Sequence, residues 1–271
     1  MAVVLAPPPR PAAAPPPPER AALAGDLAQA LDPVLLARRA GIEPDPWQAG
    51  VLRSAARRQL LNCCRQSGKS TTVATLVAHT ALYQPGALVL VVSPTLRQSA
   101  ELFRKCAGVY RAAGRPVPAE SETRLSLELD NGSRVVSLPG SEGTIRGYSD
   151  VALIAVDEAS RVPDDTYIAL RPMLAVSGGR LVALSTPWGR RGWWHREWAE
   201  GEGWERVEVP ATACPRIGPA FLAEERRAMG PLWFRSEYEC AFVDTDEQLF
   251  SSDDIAAALR DDVVPLARRG A

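Results

Sequence analysis

Residues 58–71 read RQLLNCCRQSGKST: a short apolar run, a polar turn, then Gly68-Lys69-Ser70 at the head of a helix-forming stretch. A buried strand, a glycine-containing turn and a helix form the context in which Gly-Lys-Ser binds phosphate. Backbone N–H groups from Gln66 to Ser70 would converge on a β-phosphate, aided by the helix N-terminus. Lys69 would bridge β- and γ-phosphates and Ser70 would hold Mg²⁺, with Ser67, Gly68 and Thr71 completing the loop. One feature departs from the usual G-x-x-x-x-G-K-[ST] pattern. The position five before Gly68 is Cys63, not glycine. Gly-Lys-Ser also arises in loops by chance, so the surrounding sequence has to decide.

The surroundings alternate. ALVLVVSP (87–94), VALIAVDEAS (151–160) and RLVALSTP (180–187) are continuous β-branched and leucine runs that end in polar residues. Between them the pattern predicts helices over 69–83 and from about 95 to 112. Strands buried on both faces, alternating with helices, predict a mainly parallel sheet flanked by helices in an α/β fold. RLSLELDNGSRVVSLPG (124–140) places two alternating segments around Asn-Gly and predicts a β-hairpin excursion. Leucines at helical spacing predict one helix from Glu19 to Ala40, stopped by Gly41. Residues 1–18, with PPPRPAAAPPPP, read as a disordered Pro/Ala-rich leader.

Two further motifs carry chemistry. LIAVDEA ends a strand in adjacent carboxylates about 90 residues after the loop. Asp157 is placed to reach Mg²⁺, and Glu158 to polarise an attacking water. Alone, Asp-Glu after a strand reads better as a helix N-cap with a first-turn acid. Ser185-Thr186 close the strand RLVALS-T, where small hydroxyls face the ligand crevice of an open α/β sheet. Alone, Ser-Thr-Pro is a turn starter. Taken together the motifs predict a P-loop NTPase of the additional-strand catalytic glutamate, RecA-like type.

Composition narrows the class. With 46 % apolar and 23 % charged residues, the 271-residue chain reads as globular, with room for a sizeable core. A net charge of −1 excludes a uniformly basic nucleic-acid coat, though not a local basic patch. Only two of the 31 basic residues are lysine, and one of those two is Lys69. Five cysteines (63, 64, 106, 214, 240) with no C-x-x-C pair suggest neither a disulfide framework nor a zinc site, and fit a cytoplasmic setting. The N-terminus lacks a signal-peptide pattern, and no run approaches the ~18 apolar residues of a membrane span.

WQ (47–48), CCRQSGKST, VSPTLRQSAELF, NGSRVVSLPG, TIRGYSD, LIAVDEAS, LSTPWGRRG and FRSEYECAFVD, in that order, resemble the ATPase part of the large terminase subunit of tailed bacteriophages and prophages. The resemblance covers roughly residues 30 to 255. It implies ATP hydrolysis, with ATP and Mg²⁺, driving double-stranded DNA into procapsids. It also implies a portal protein, a small terminase subunit and a homo-oligomeric ring as partners. Terminase loops commonly lack the first glycine and carry an arginine, so Arg65 fits the family; an arginine tied to a nearby carboxylate is the alternative. Gln48, behind Trp47, matches an adenine-recognising glutamine, although Trp47 equally suits core packing. Arg146 matches an arginine finger that acts on a neighbouring subunit or within its own. Ser185 and Thr186 match a motif that couples hydrolysis to DNA movement.

By the same resemblance, the P-loop domain spans 19–245, with an N-terminal adenine-side segment at 19–56. Residues 246–271 then read as a linker toward a nuclease domain that the chain does not contain. Asp244, Asp246, Glu247, Asp253 and Asp254 read as part of a solvated linker and not as a nuclease site. This makes the chain a fragment, a split gene product or a degraded prophage copy that binds nucleotide without turnover. Arg190, Arg191 and Arg196 in GRRGWWHREW are the best local DNA-contact set, against ordinary helix packing with snorkelling arginines. VSPTLRQ and Ser-Thr-Pro also resemble superfamily 2 helicase motifs, but a helicase needs a second RecA-like lobe. A non-hydrolysing scaffold and a nucleotide kinase are weaker rivals: Lys69, Asp157 and Glu158 are intact, and no arginine-rich acceptor lid is evident.

Overall fold

A computed structural model describes residues 20–145, 147–243 and 257–258. Three short helices come first: α1 (Arg20–Leu31), α2 (Pro33–Arg39) and α3 (Pro46–Arg53). The single helix expected over 19–40 is therefore two. Asp32 caps α2 by accepting the Val34 N–H, and Pro33 occupies its first turn. Proline has no N–H for the preceding turn, so α1 stops there.

Next come β1 (Arg58–Cys63), α4 (Lys69–Tyr83), β2 (Leu88–Ser93) and α5 (Leu96–Ala112), as the pattern predicted. β3 (Ala119–Glu122), β4 (Ser126–Leu129), β5 (Arg134–Pro139) and the single turn α6 (Glu142–Ile145) follow. β6 (Val151–Asp157), α7 (Asp164–Leu170), β7 (Arg180–Ser185), α8 (Gly192–Ala199), β8 (Glu205–Val209) and α9 (Pro219–Glu239) complete the order.

One eight-stranded sheet runs β3-β4-β5-β2-β6-β7-β1-β8. β5, β2, β6, β7, β1 and β8 are mutually parallel, and β3 and β4 extend the sheet antiparallel at one edge. The hairpin therefore forms at Asn131-Gly132, but its second strand is no excursion. β5 pairs with β2 over its full length, from Leu88↔Arg134 to Ser93↔Pro139.

Side chains alternate between two cores, as the period of two in a strand requires. Leu61 and Cys63, Val89 and Val91, Leu153 and Ala155, and Val182 and Leu184 face α2, α3, α4 and α5. Leu60, Leu90 and Val92, Ile154 and Val156, and Leu181 and Ala183 face α7 and α8. This double burial explains why the strands read as unbroken apolar runs. α8 fills the second core with Trp193, which stacks on Tyr167 with centroids 4.2 Å apart and donates from Nε1 to Val162 O at 2.9 Å. Among the described residues no helix is long and apolar enough to cross a membrane.

Candidate active site

β1 delivers the loop to the carboxyl edge of the sheet. Its missing first glycine has a structural reason. The left-handed positions of the loop are Gln66 (φ 61°) and Gly68 (φ 93°), and Cys63 is not among the positive-φ residues. Cys63 is instead strand core, fully buried, with its thiol pushed up to about 12 chiefly by that burial. Gly68 is required twice over. Its φ disfavours any side chain, and an added Cβ would lie 2.6 Å from Gln48 Nε2.

The loop is held from outside. Cys64 N–H donates to Val209 O and Arg65 N–H to Glu237 O, both at 2.9 Å. Lys69, nearly buried, sets its ammonium 3.4 Å from Cys64 O. Among the described residues, the backbone N–H groups from Gln66 to Ser70 take no hydrogen-bond acceptor. Unmade donors at a helix start, beside a buried ammonium, are what an anionic phosphate needs.

β6 ends in Asp157, in register with Leu184 of β7. Asp157 is 8 % exposed, and its pKa is raised to about 6 by burial first and by the neighbouring Glu158 second, against the lowering influence of Lys69 and Lys105. Glu158 sits in the left-handed region at φ 50°, ψ 42°, and donates its N–H to Asp157 Oδ1 at 3.0 Å. A non-glycine residue there is strained by about 1–2 kcal/mol. The turn thus separates the two carboxylates, with Asp157 aimed into the sheet edge and Glu158 half exposed.

β7 lies between β6 and β1, so Ser185 sits beside both motifs, opposite Asn62 in register. Its hydroxyl lies 2.7 Å from Ser160 Oγ and accepts the Ser160 N–H at 3.3 Å. Thr186 is also buried. The carbonyl of Pro187 accepts the Ser236 hydroxyl at 2.9 Å. Trp188 lies between the Arg161 guanidinium, 3.8 Å above its ring, and Trp233, 5.7 Å away.

The remaining predicted residues separate into groups. Gln48 is at the loop, but its Oε1 already accepts the Asp45 N–H at 2.8 Å in a capping box. Trp47 is half buried and packs on the core, with Nε1 buried and unpartnered among the described residues. Arg65 points away to Glu237 at 3.7 Å, with 66 % of its side chain exposed, which is the carboxylate-tethered alternative. Of the proposed DNA set, Arg196 bonds both Nη atoms to Asp164 Oδ2 at 3.2 Å, and Arg190 Nε bonds Phe242 O at 3.3 Å. Trp193 and Trp194 beside them are core residues. Arg146 and Asp244, Asp246, Glu247, Asp253 and Asp254 lie outside the described residues, as does the leader at 1–18. All five cysteines are buried and free.

Sequence reasoning passed over Asp45, Ser160, Arg216 and Glu237. Ser160 was legible, three residues after Asp157. Arg216 reaches the loop from a segment that carries no motif, and Glu237 from within FRSEYECAFVD, a stretch that by itself assigns it no role.

Mg²⁺ fits the donor set. Asp157 is a buried carboxylate without a full countercharge, beside a second carboxylate. Among the described residues no group of three or more His, Cys, Asp or Glu could hold a metal unaided. One carboxylate and a hydroxyl, completed by substrate phosphates, is the donor set Mg²⁺ takes in nucleotide sites.

Comparison with known proteins gives the family and the fold. A family model described as the terminase large subunit, T4likevirus-type, N-terminal, matches residues 60–257. The terminase large subunit of Thermus virus P23-45 is 25 % identical over 267 residues, covering 85 % of this chain and 54 % of that protein. The chain thus spans about half the length of the curated relatives it matches. The large terminase ATPase domain of Thermus phage P74-26 superposes with a TM-score of 0.68 at 22 % identity, over 76 % of this chain and 97 % of that one. The large terminase of a thermophilic bacteriophage, solved in complex with ATP-gamma-S, superposes with a TM-score of 0.60 at 13 % identity, over 73 % and 52 %.

Proposed function

Since the chain belongs to the terminase large-subunit family, at its N-terminal region, we propose that it hydrolyses ATP with Mg²⁺, and that in the assembled particle this hydrolysis drives double-stranded DNA into a procapsid. One observation carries the reading: a loop of unpaired N–H groups at the end of β1, with the Asp157-Glu158 pair one strand beyond its neighbour β7. The complex of the thermophilic bacteriophage's large terminase with ATP-gamma-S supports the choice of nucleotide.

The residues divide the work. Gln66 to Ser70 cradle the β-phosphate, Lys69 spans β and γ, and Thr71 continues the helix start. Ser70 and Asp157 would hold Mg²⁺, which when bound neutralises charge on the phosphate oxygens. Glu158 orients the attacking water and takes its proton. Gln48 reads adenine with the amide capacity that its capping bond leaves over. Ser185 and Thr186 respond to loss of the γ-phosphate through Ser160 on one side and Pro187 on the other. Arg146 would supply further charge to the transition state from a neighbouring copy in a ring, and Arg65 would do so only on leaving Glu237, which holds it at 3.7 Å. The portal protein and the small terminase subunit are the partners expected of such a motor, and Arg190, Arg191 and Arg196 its DNA-facing set.

Equilibrium binding of ATP to the wild type and to Lys69→Ala, each with Mg²⁺ and with EDTA, tests the site. Affinity should fall by about a hundredfold or more in Lys69→Ala, as expected for a desolvated charge–phosphate contact. Equal affinity in both proteins would overturn it.

A further inference from the structure

The loop is gripped by an arginine that no motif predicts. Arg216 donates from Nη2 to Ser67 O at 2.9 Å and from Nη1 to Asp45 Oδ1 at 2.8 Å. Three chain segments far apart in sequence meet at this one guanidinium. Ser67 belongs to the phosphate loop, and Asp45 is the N-cap of α3. From the same cap, Gln48 reaches the loop with Nε2, 2.6 Å from where a Gly68 Cβ would stand; Arg216 Nη2 is 3.4 Å from that point.

Arg216 itself is well placed to hold still. It follows β8 in a turn closed by Cys214 N–H to Ala211 O and Ile217 N–H to Cys214 O, both at 3.0 Å. Cys214 is buried with its Sγ 3.7 Å from Cys64 Sγ, at the base of the same loop, and Ile217 packs on the core. The segment is therefore anchored under the loop at one residue and reaches over it two residues later. A planar fork aims two N–H groups at a carboxylate and a carbonyl in fixed geometry, whereas an ammonium is a compact point charge on a flexible stem. Asp45 is mostly buried, with 14 % of its side chain exposed, so the pair is partly shielded from solvent.

We propose that Arg216 is a positioning residue for nucleotide: it clamps the Asp45–Gln48 turn to the phosphate loop, so that base recognition and phosphate binding are fixed as one unit. The proposal rests on the nucleotide reading of the site. It makes Arg216, and not Arg65, the arginine that sets the loop's geometry.

The test compares wild type, Arg216→Ala, Arg216→Lys and Asp45→Asn in ATP and GTP binding and in steady-state hydrolysis. Loss of a charge-assisted bond predicts a KM for ATP raised about tenfold in Arg216→Ala, with kcat lowered by less than about threefold. The preference for ATP over GTP should shrink in step, because Gln48 is no longer held at the loop. Arg216→Lys should recover ATP affinity without recovering base preference, and Asp45→Asn should lose base preference while keeping the Ser67 contact. If the wild type binds ATP and Arg216→Ala binds it equally well with the same preference, the inference fails alone. A fall in kcat at unchanged KM would also overturn it. If the wild type binds neither nucleotide, the reading of the site fails, and the inference fails with it.

Discussion

His79 shows how a single buried side chain writes itself into the pH dependence of the fold. Its Nε2–H donates to Gln29 O at 3.0 Å, tying α4 to α1, and burial lowers its pKa below 6.5. The folded state therefore binds fewer protons than the unfolded chain just below pH 6.5. The stabilisation is fully present above that pH and is lost as pH falls toward the depressed folded value. His195 is shifted in the same direction, chiefly by burial. Urea denaturation between pH 7.5 and 5.5 should show declining stability in the wild type and a shallower decline in His79→Gln, which keeps a donor for Gln29. An equal decline in both would remove His79 from the account. Single residues were legible in the sequence where a motif fixed their neighbours. Lys69, Asp157, Glu158 and Ser185 each follow or close a strand, as read, and the sheet order sets those strands side by side. Arg216 was not legible, because its partners lie 149 and 171 positions away and no periodicity points at them.

The element that reads the site most broadly is α9, which had no helical prediction of its own. It is broken at Gly230 (φ 76°, ψ 168°), followed by Pro231, and its two halves fold back on each other. Tyr238 O–H donates to Glu225 at 3.0 Å, Arg226 pairs with Glu239 and lies 4.4 Å over Phe234. The second half then touches two motifs at once. Glu237 O accepts the Arg65 N–H of the loop, and Ser236 donates to Pro187 O behind Ser185-Thr186. Trp233 lies against Trp188, which Arg161 covers from the Glu158 turn. The loop and the Ser185-Thr186 motif are thus both tied directly to α9. Gly230→Ala isolates the kink. Nothing lies within 4 Å of an added Cβ, so its effect is purely conformational, of about 1–3 kcal/mol. Amide exchange should rise at Arg65 N–H and along 231–239 in Gly230→Ala, with the central strands unaffected; unchanged exchange would uncouple α9 from the loop. Other elements were missed for physical reasons. ERVEV in β8 alternates because it is an edge strand with one face exposed, and β5 was read with its hairpin partner rather than with β2, since register to a distant strand leaves no local mark.

The order β6-β7-β1 joins these parts into one machine. A strand carrying Ser185 stands between the strand of the phosphate loop and the strand of the two carboxylates, so one hydroxyl borders both motifs. Parallel strands with continuous apolar runs and intervening helices made that architecture readable, whereas strand order itself is a non-local fact. If Arg146 completes a neighbouring copy's site, activity should rise faster than linearly with protein concentration as copies associate. The central claim is that Glu158 activates water at a site that Lys69 and Asp157 build, and it is tested most directly by steady-state ATP hydrolysis across protein concentration for the wild type and Glu158→Gln, with ATP binding measured alongside. The account predicts wild-type turnover that Glu158→Gln lowers by about a hundredfold or more, within the range of a lost general base, at near-normal ATP affinity. Turnover in Glu158→Gln equal to that of the wild type would contradict it.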